Sequence, residues 1–286
     1  MRLLGLSDLH IGYPVNRKAI EEIEPCPNDW LILGGDIGET PEQLEWVLDT
    51  LQARFAQLIW VPGNHELYTL KSDPCSLQGQ ARYEYLVELC QKRGVLTPED
   101  PYSLWPGPGP KTRLAPMFIG YDYTFSPEGM NPNEAKEWAA QEGIRCTDEA
   151  VLFPTPYPTR ESWCQARVAS TEKRLKEIPE EEATILINHY PLRYDLVRLY
   201  RIPRFSPWCG TRQTENWHTR YRARVVVTGH LHMRATDWRD GVRFEEVALG
   251  YPKHWSQDKG INAYLREILP GPSQTHSGHH GPEWHR

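Results

Sequence analysis

The 286-residue sequence contains no CxxC pair, no apolar run longer than a strand and no excess of positive charge. Each absence excludes a class. Its six cysteines (Cys26, Cys75, Cys90, Cys146, Cys164 and Cys209) are scattered, so neither a thiolate metal knot nor a paired redox motif is encoded. A chain of this size buries a large core without covalent staples, and the cysteines read as reduced, packed thiols. Without a long apolar segment no membrane span is expected. The net charge of -6 and pI near 6.0 argue against a nucleic-acid binder that relies on overall basicity. No signal-peptide pattern precedes the first strand, so the expected compartment is the cytoplasm. No internal repeats are present.

What the sequence does contain is an alternation of short apolar runs with amphipathic segments. Strands are predicted at residues 2–6, 30–33, 57–61, 117–121, 183–187, 225–227 and 242–248. Helices are predicted at 16–24, 40–51, 79–93, 132–142 and 162–178. Thr40-Pro41-Glu42 is a strong helix start, with an N-cap hydroxyl, proline in the first turn and an acidic group near the positive end of the dipole. Strand–helix–strand order implies a mainly parallel sheet with crossover helices. One domain is expected over residues 1–269, with 126–160 an excursion over the functional edge. The Gly-, Pro-, Ser- and His-rich residues 270–286 are expected to form a flexible tail, bearing His276, His279, His280 and His285.

The chemistry-bearing residues follow the strands. Asp8 and His10 come after the first, Asp36 after the second, and Asn64 and His65 after the third. His189 follows the strand at 183–187, and His230 and His232 the one at 225–227. On extended chain, residues i and i+2 point the same way, so Asp8 with His10, and His230 with His232, can reach one centre. Mixed carboxylate, amide and imidazole donors suit Mn²⁺, Fe²⁺ or Zn²⁺ better than Ca²⁺ or Mg²⁺. Seven donors exceed the needs of one ion and suit two ions sharing a carboxylate, an arrangement used for phosphate-ester hydrolysis.

The motifs Asp8-Leu9-His10, Gly35-Asp36, Gly63-Asn64-His65-Glu66, Asn188-His189 and Gly229-His230-Leu231-His232 occur in that order. In this the sequence resembles the calcineurin-like metallophosphoesterases. The one departure is Glu66, where many members have Asp. The resemblance implies an α/β fold, a four-layer α/β/β/α sandwich of mixed sheets with metal-binding loops at strand ends. It implies two divalent metal ions. One would be held by Asp8, His10, Asp36 and His232, the other by Asp36, Asn64, His189 and His230. Asp36 would bridge, and His65 would contact the phosphoryl group and protonate the leaving oxygen.

The substrate has to be read from other segments. Eight arginines (193, 198, 201, 204, 212, 220, 222 and 224) lie in one stretch with only Asp195 and Glu215 against them. This local reversal of sign reads either as a solvated face or as a basic rim for an anionic substrate or acidic partner. Tyr200, Phe205, Trp208, Trp217 and Tyr221 interleave with it, an arrangement that can also stack on bases. Stretches such as Trp60 to Leu67, Arg82 to Val87, Tyr121-Asp122-Tyr123, Tyr157 to Arg160, Trp208 to Thr211 and Trp217 to Tyr221 are similar to an actinobacterial branch of the family that releases 4′-phosphopantetheine from carrier proteins. That resemblance implies an acidic acyl or peptidyl carrier protein as partner. Tyr123, Arg198, Arg201, Arg204, Trp208 and Trp217 become the candidate substrate residues. The competing readings are a phosphatase or phosphodiesterase acting on a nucleotide, cyclic nucleotide or sugar phosphate, a nuclease, and a metal-bearing scaffold without turnover.

Overall fold

Successive residues of the inner strands turn to different neighbours, and this alternation builds the layers. The computed structural model describes residues 1–272 and 278–285. Its strands and helices run β1 (Leu3–Leu6), α1 (Pro14–Glu21), β2 (Cys26–Leu33), α2 (Pro41–Gln52), β3 (Phe55–Trp60), α3 (Gly79–Gln91), β4 (Thr112–Pro116), α4 (Pro132–Ala140), α5 (Asp148–Val151) and α6 (Arg160–Lys176). There follow β5 (Ala183–Ile187), α7 (Trp217–Arg220), β6 (Ala223–Thr228), β7 (Ala235–Arg239), β8 (Val242–Glu246), β9 (Arg266–Leu269) and β10 (His280–Trp284), with short 3-10 turns between.

One sheet has the order β3-β2-β1-β9 and the other β10-β7-β8-β6-β5-β4. β1, β2 and β3 are parallel, and β9 closes that sheet antiparallel. β4, β5, β6 and β8 are parallel, while β7 and β10 run antiparallel at the far edge. Leu3, Ile32 and Ile59 of the first sheet meet Ile185, Ile187, Val225 and Val227 of the second. Their strand neighbours Leu4, Leu31 and Leu58 point outward onto α1, α2 and α3 through Ile20, Leu44, Val47 and Leu86. On the opposite outer face Leu186 and Val226 pack against Cys164 and Val168 of α6 and Trp217 of α7. The result is the four-layer α/β/β/α sandwich. Each large aliphatic side chain so buried contributes about 1.5–3 kcal/mol.

Several expected elements moved. The strand predicted at 117–121 is β4 at Thr112–Pro116. The more apolar residues after it continue as loop, with Met117 N–H still donating to Ile187 O at 2.8 Å. β7, β9 and β10 were not expected. β7 and β10 carry charged or proline residues that mask a strand pattern, and β9 is four residues long. The tail expected to fray from residue 270 contains β10, which hydrogen-bonds along β7. Of its histidines, His276 lies outside the described residues.

The two sheets are laced together at one end. Ser7 N–H donates to Val247 O at 3.1 Å, Leu249 N–H to Ser7 O at 2.8 Å and Gly250 N–H to Asp8 O at 3.0 Å. Loops after β1, β2, β3, β5 and β6 therefore converge on one edge, as expected at the carboxyl ends of parallel strands.

Candidate metal centre and substrate cavity

The converging loops carry unusual backbone. Asp8, His10, Asp36, His230 and His232 all have positive φ, between 43° and 72°. This left-handed region costs non-glycine residues free energy and is retained where surrounding structure holds it. The constraint here is close packing around glycines. A Cβ on Gly63 would lie 2.0 Å from Asp36 Oδ1, and one on Gly229 would lie 2.3 Å from Asp8 Oδ2. Glu66 ties the loops by accepting backbone N–H bonds from Asp36 (3.0 Å), Ile37 (2.7 Å) and Gly63 (2.9 Å). Beneath it the buried Arg82 donates to Glu66 O at 2.6 Å and pairs with Asp73 at 2.8 Å.

Three groups of donor atoms converge: Asp8, His10 and His232; His10, Asp36 and His65; and Asp36, His189 and His230. Within each group the atoms lie within 4.8 Å of one another. Asp36 Oδ1 accepts the backbone N–H of His65 at 3.0 Å. Its Oδ2 faces His189 Nε2 at 3.5 Å, His65 Nε2 at 3.8 Å and His10 Nε2 at 4.0 Å. Asp8 accepts from Ser7 Oγ at 2.5 Å and from the backbone N–H of His230 at 3.1 Å, and faces His232 Nε2 at 3.0 Å. Among the described residues only histidines come within ion-pair distance of Asp8 and Asp36.

This donor set fits divalent cations. His189 Nδ1–H donates to Gly34 O at 2.8 Å, which fixes its lone pair on Nε2. That nitrogen, His230 Nε2 and Asn64 Oδ1 are buried with no hydrogen-bond partner among the described residues. A buried acceptor without a partner is costly, and a cation among these atoms removes the cost. Likewise His10 Nε2 and His232 Nε2 sit 3.1 Å apart, a contact that needs a proton or a cation between the two lone pairs. Burial pushes His10 and His230 down to about 3, keeping both neutral as ligands must be. At His189 burial is the largest single effect and opposes the charge, but Asp36, Asp8 and Glu66 together outweigh it and raise the ring to about 10. The carboxylates demand positive charge at that point.

His65 is held differently. Its Nδ1 meets Glu39 Oε1 at 3.1 Å. Burial again opposes the imidazolium, yet Asp36 and then Glu39 hold the ring up at about 9. Beside it Asn64 Nδ2 donates to Tyr68 Oη at 2.9 Å and to Asp148 Oδ1 at 3.0 Å. On the other side Tyr251 packs on His10 with ring centroids 4.5 Å apart, and His232 Nδ1 meets His254 Nδ1 at 3.1 Å. Glu39, Tyr68, Asp148, Tyr251 and His254 escaped sequence reading. None lies in a recognisable motif, and only tertiary contact brings them here.

Above these residues opens a cavity of about 830 Å³. Asp36, Asn64, His65, His230 and His232 line it, together with residues 145–148, residues 198–202, Phe205 and Lys253. The expected basic rim is mostly neutralised. Arg198 lines the cavity but grips Asp237 with two bonds of 2.7 and 2.5 Å. Arg204 is turned away, bonded to Trp138 O at 2.7 Å and paired with Glu142 at 3.0 Å. Arg193 and Arg220 pair with Asp195 and Glu172, and Arg222 caps backbone carbonyls. Arg201, Arg145 and Lys253 are the exposed cations on the cavity lining, and none makes an ion pair among the described residues. Tyr200 is 76% exposed and Ile202 44%, so Arg201 is flanked by apolar surface.

The aromatic candidates lie deeper. Tyr123 Oη and Trp208 Nε1 both donate to Glu149 Oε1, at 2.7 and 2.8 Å, behind the cavity wall. Trp217 is a core residue, packed on Tyr221 with ring centroids 5.5 Å apart, and the structure does not bring it to the cavity. Cys209 is fully buried, its thiol pushed up by burial.

The calcineurin-like phosphoesterase family model matches residues 1–234. The acyl-carrier-protein phosphodiesterase PptH of Mycobacterium tuberculosis is 47% identical over 272 residues, spanning 94% of this chain and 84% of that protein. The crystal structure of phosphopantetheinyl hydrolase (PptH) from the same organism superposes with a TM-score of 0.91 at 46% identity, covering 96% of this chain and 97% of that one.

Proposed function

This chain belongs to the calcineurin-like phosphoesterase family and is a metal-dependent phosphoester hydrolase, and we propose that it cleaves 4′-phosphopantetheine from the serine of an acidic carrier protein. The observation that carries the substrate is similarity, at nearly half identity over almost the whole chain, to a protein named as an acyl-carrier-protein phosphodiesterase. The cavity supports it. Three cations without an ion pair among the described residues and two exposed apolar side chains border its mouth, a surface suited to an acidic protein that must deliver a tethered group inward.

In this reading Asp8, His10, Asp36 and His232 would hold one divalent ion, and Asp36, Asn64, His189 and His230 the other. Mn²⁺, iron or Zn²⁺ matches these mixed oxygen and nitrogen donors. Bound there, such ions supply Lewis acidity, activating water and neutralising charge on phosphoryl oxygens. The protein's own part falls to its side chains. His65 carries a proton on Nε2 at the cavity floor and hands it to the departing serine oxygen. Glu39 fixes that ring through Nδ1. Asp36 is held by the His65 backbone N–H so that its Oδ2 stays turned to the histidines. The expected compartment remains the cytoplasm. No helix among the described residues is long and apolar enough to cross a membrane.

The test is incubation of Mn²⁺-loaded protein with holo-acyl carrier protein, read by intact mass. Loss of one 4′-phosphopantetheine group supports the assignment. An unchanged carrier beside turnover of bis-p-nitrophenyl phosphate rejects it and leaves a diesterase for small substrates.

A further inference from the structure

A ligand amide has two faces, and something must choose between them. We propose that Asp148 is the positioning residue that turns Asn64 Oδ1 toward its metal. Through it, the 126–160 segment controls how tightly that second metal position is held. The inference rests on the reading of Asn64 as a ligand.

The hydrogen bonds allow one orientation. Asp148 Oδ1 accepts from Asn64 Nδ2 at 3.0 Å and from Tyr68 Oη at 2.8 Å. Tyr68 spends its proton on Asp148, so its oxygen receives the second Asn64 amide proton, at 2.9 Å. A carboxylate can only accept. A flipped Asn64 would set its own oxygen against that carboxylate and against a hydroxyl with no proton left to give. Oδ1 is thereby directed away, and it is buried without a protein partner. Asp148 itself is fully buried and has no side-chain ion pair among the described residues. Both donors meet its Oδ1, while Oδ2 is buried without a hydrogen-bond partner among the described residues.

The next residue carries the link outward. Glu149 receives Tyr123 Oη and Trp208 Nε1, and pairs with Arg160 at 3.1 Å. Arg160 also donates to Asp148 O at 2.7 Å. Residue 148 thus faces the metal centre while residue 149 anchors the segment. Residues 145–148 line the cavity, so a substrate lying there presses on the same short stretch that orients Asn64. By linkage, cavity occupancy and binding at the Asn64 metal position change each other's affinity by one factor.

Equilibrium dialysis with Mn²⁺ on the metal-stripped protein tests this, with Asn64→Ala as reference. Asn64→Ala should bind one ion per chain tightly and the other weakly. Asp148→Ala should reproduce that split, weakening one ion by about 10- to 100-fold and sparing the other, as loss of an outer partner does. Asp148→Asn keeps an acceptor of the same shape and should recover part of the loss. Tyr68→Phe removes only the relay and should fall between, which keeps the test open if Asp148→Ala folds poorly. A merely structural role would lower the melting temperature without separating the two ions. Loss in Asn64→Ala but two unaltered ions in both Asp148→Ala and Tyr68→Phe would overturn the proposal alone. Two unaltered ions in Asn64→Ala would overturn the ligand reading, and the proposal with it.

Discussion

Glu39 sets a carboxylate oxygen 3.1 Å from Nδ1 of His65, while the other ring nitrogen looks across 3.8 Å to Asp36. The ring is thus clamped by one anion and aimed past another. A histidine acts as a general acid only when both ring nitrogens carry a proton. With His65 held up at about 9, the donor form is complete well below that pH and is lost as pH rises through it. Glu39→Gln removes one of the anions and lowers the ring's pKa. The alkaline limb of kcat should therefore shift to lower pH, with the rate on its acid side little changed. A pH–rate profile on a diester with a poor leaving group reads the shift directly.

Removing the ring has a larger effect. For His65→Ala we expect kcat on the natural ester to fall by about 10²–10⁴, the range of general acid catalysis. Metal content should hold at the wild-type level. An activated aryl phosphate, whose leaving group needs no proton, should lose much less. Equal losses on both esters would refute the proton-donor role.

The rim arginines should differ sharply in their consequences. Arg201→Glu reverses an unpaired cation at the mouth and should lower kcat/KM for holo-carrier by about tenfold, roughly 1.4 kcal/mol, with the penalty shrinking as salt is raised. Turnover of bis-p-nitrophenyl phosphate should be unaffected. Arg204→Glu breaks a pair with Glu142 and should cost stability instead. Parallel kinetics on the two substrates, beside melting curves, separate these outcomes.

Acid stability should trace to Glu149. Burial raises its pKa, but bonds from Tyr123 and Trp208 and the charge of Arg160 prevail and lower it. A carboxylate depressed in the folded state adds stability above its unfolded pKa and loses it as pH falls through the folded value. Glu149→Gln should destabilise the protein at neutral pH by about 1.5–3 kcal/mol, the scale of hydrogen bonds to a charged group. The gap to wild type should close in acid. Denaturant midpoints at several pH values check it.

The seven proposed ligands were legible because each lies in a loop just after a strand, with Gly35, Gly63 and Gly229 directly before Asp36, Asn64 and His230. Local chain direction then nearly suffices to bring them together. The fold was legible because short apolar runs, buried almost without interruption toward their carboxyl ends, mark β1, β2, β3, β5 and β6. Charge pairing was not legible. Arg198, Arg204 and Arg220 looked free because Asp237, Glu142 and Glu172 come from distant sequence. Trp217 was misread for a related reason: a tryptophan among arginines resembles a stacking platform until a helix turns it into the core. The expected β4 lies about five residues too far along because the apolar residues 117–121 outshine Thr112–Pro116. β10 was missed because a segment rich in histidine and proline pairs only where an open edge awaits it.

Asp8, His10, Asp36, His230 and His232 occupy backbone that only glycine adopts freely. Glycine brings no donor atom. Each position is therefore caught between what the chain prefers and what the metals need. Relatives that abandoned catalysis should drift there toward glycine or asparagine, and grow sturdier as they fall silent.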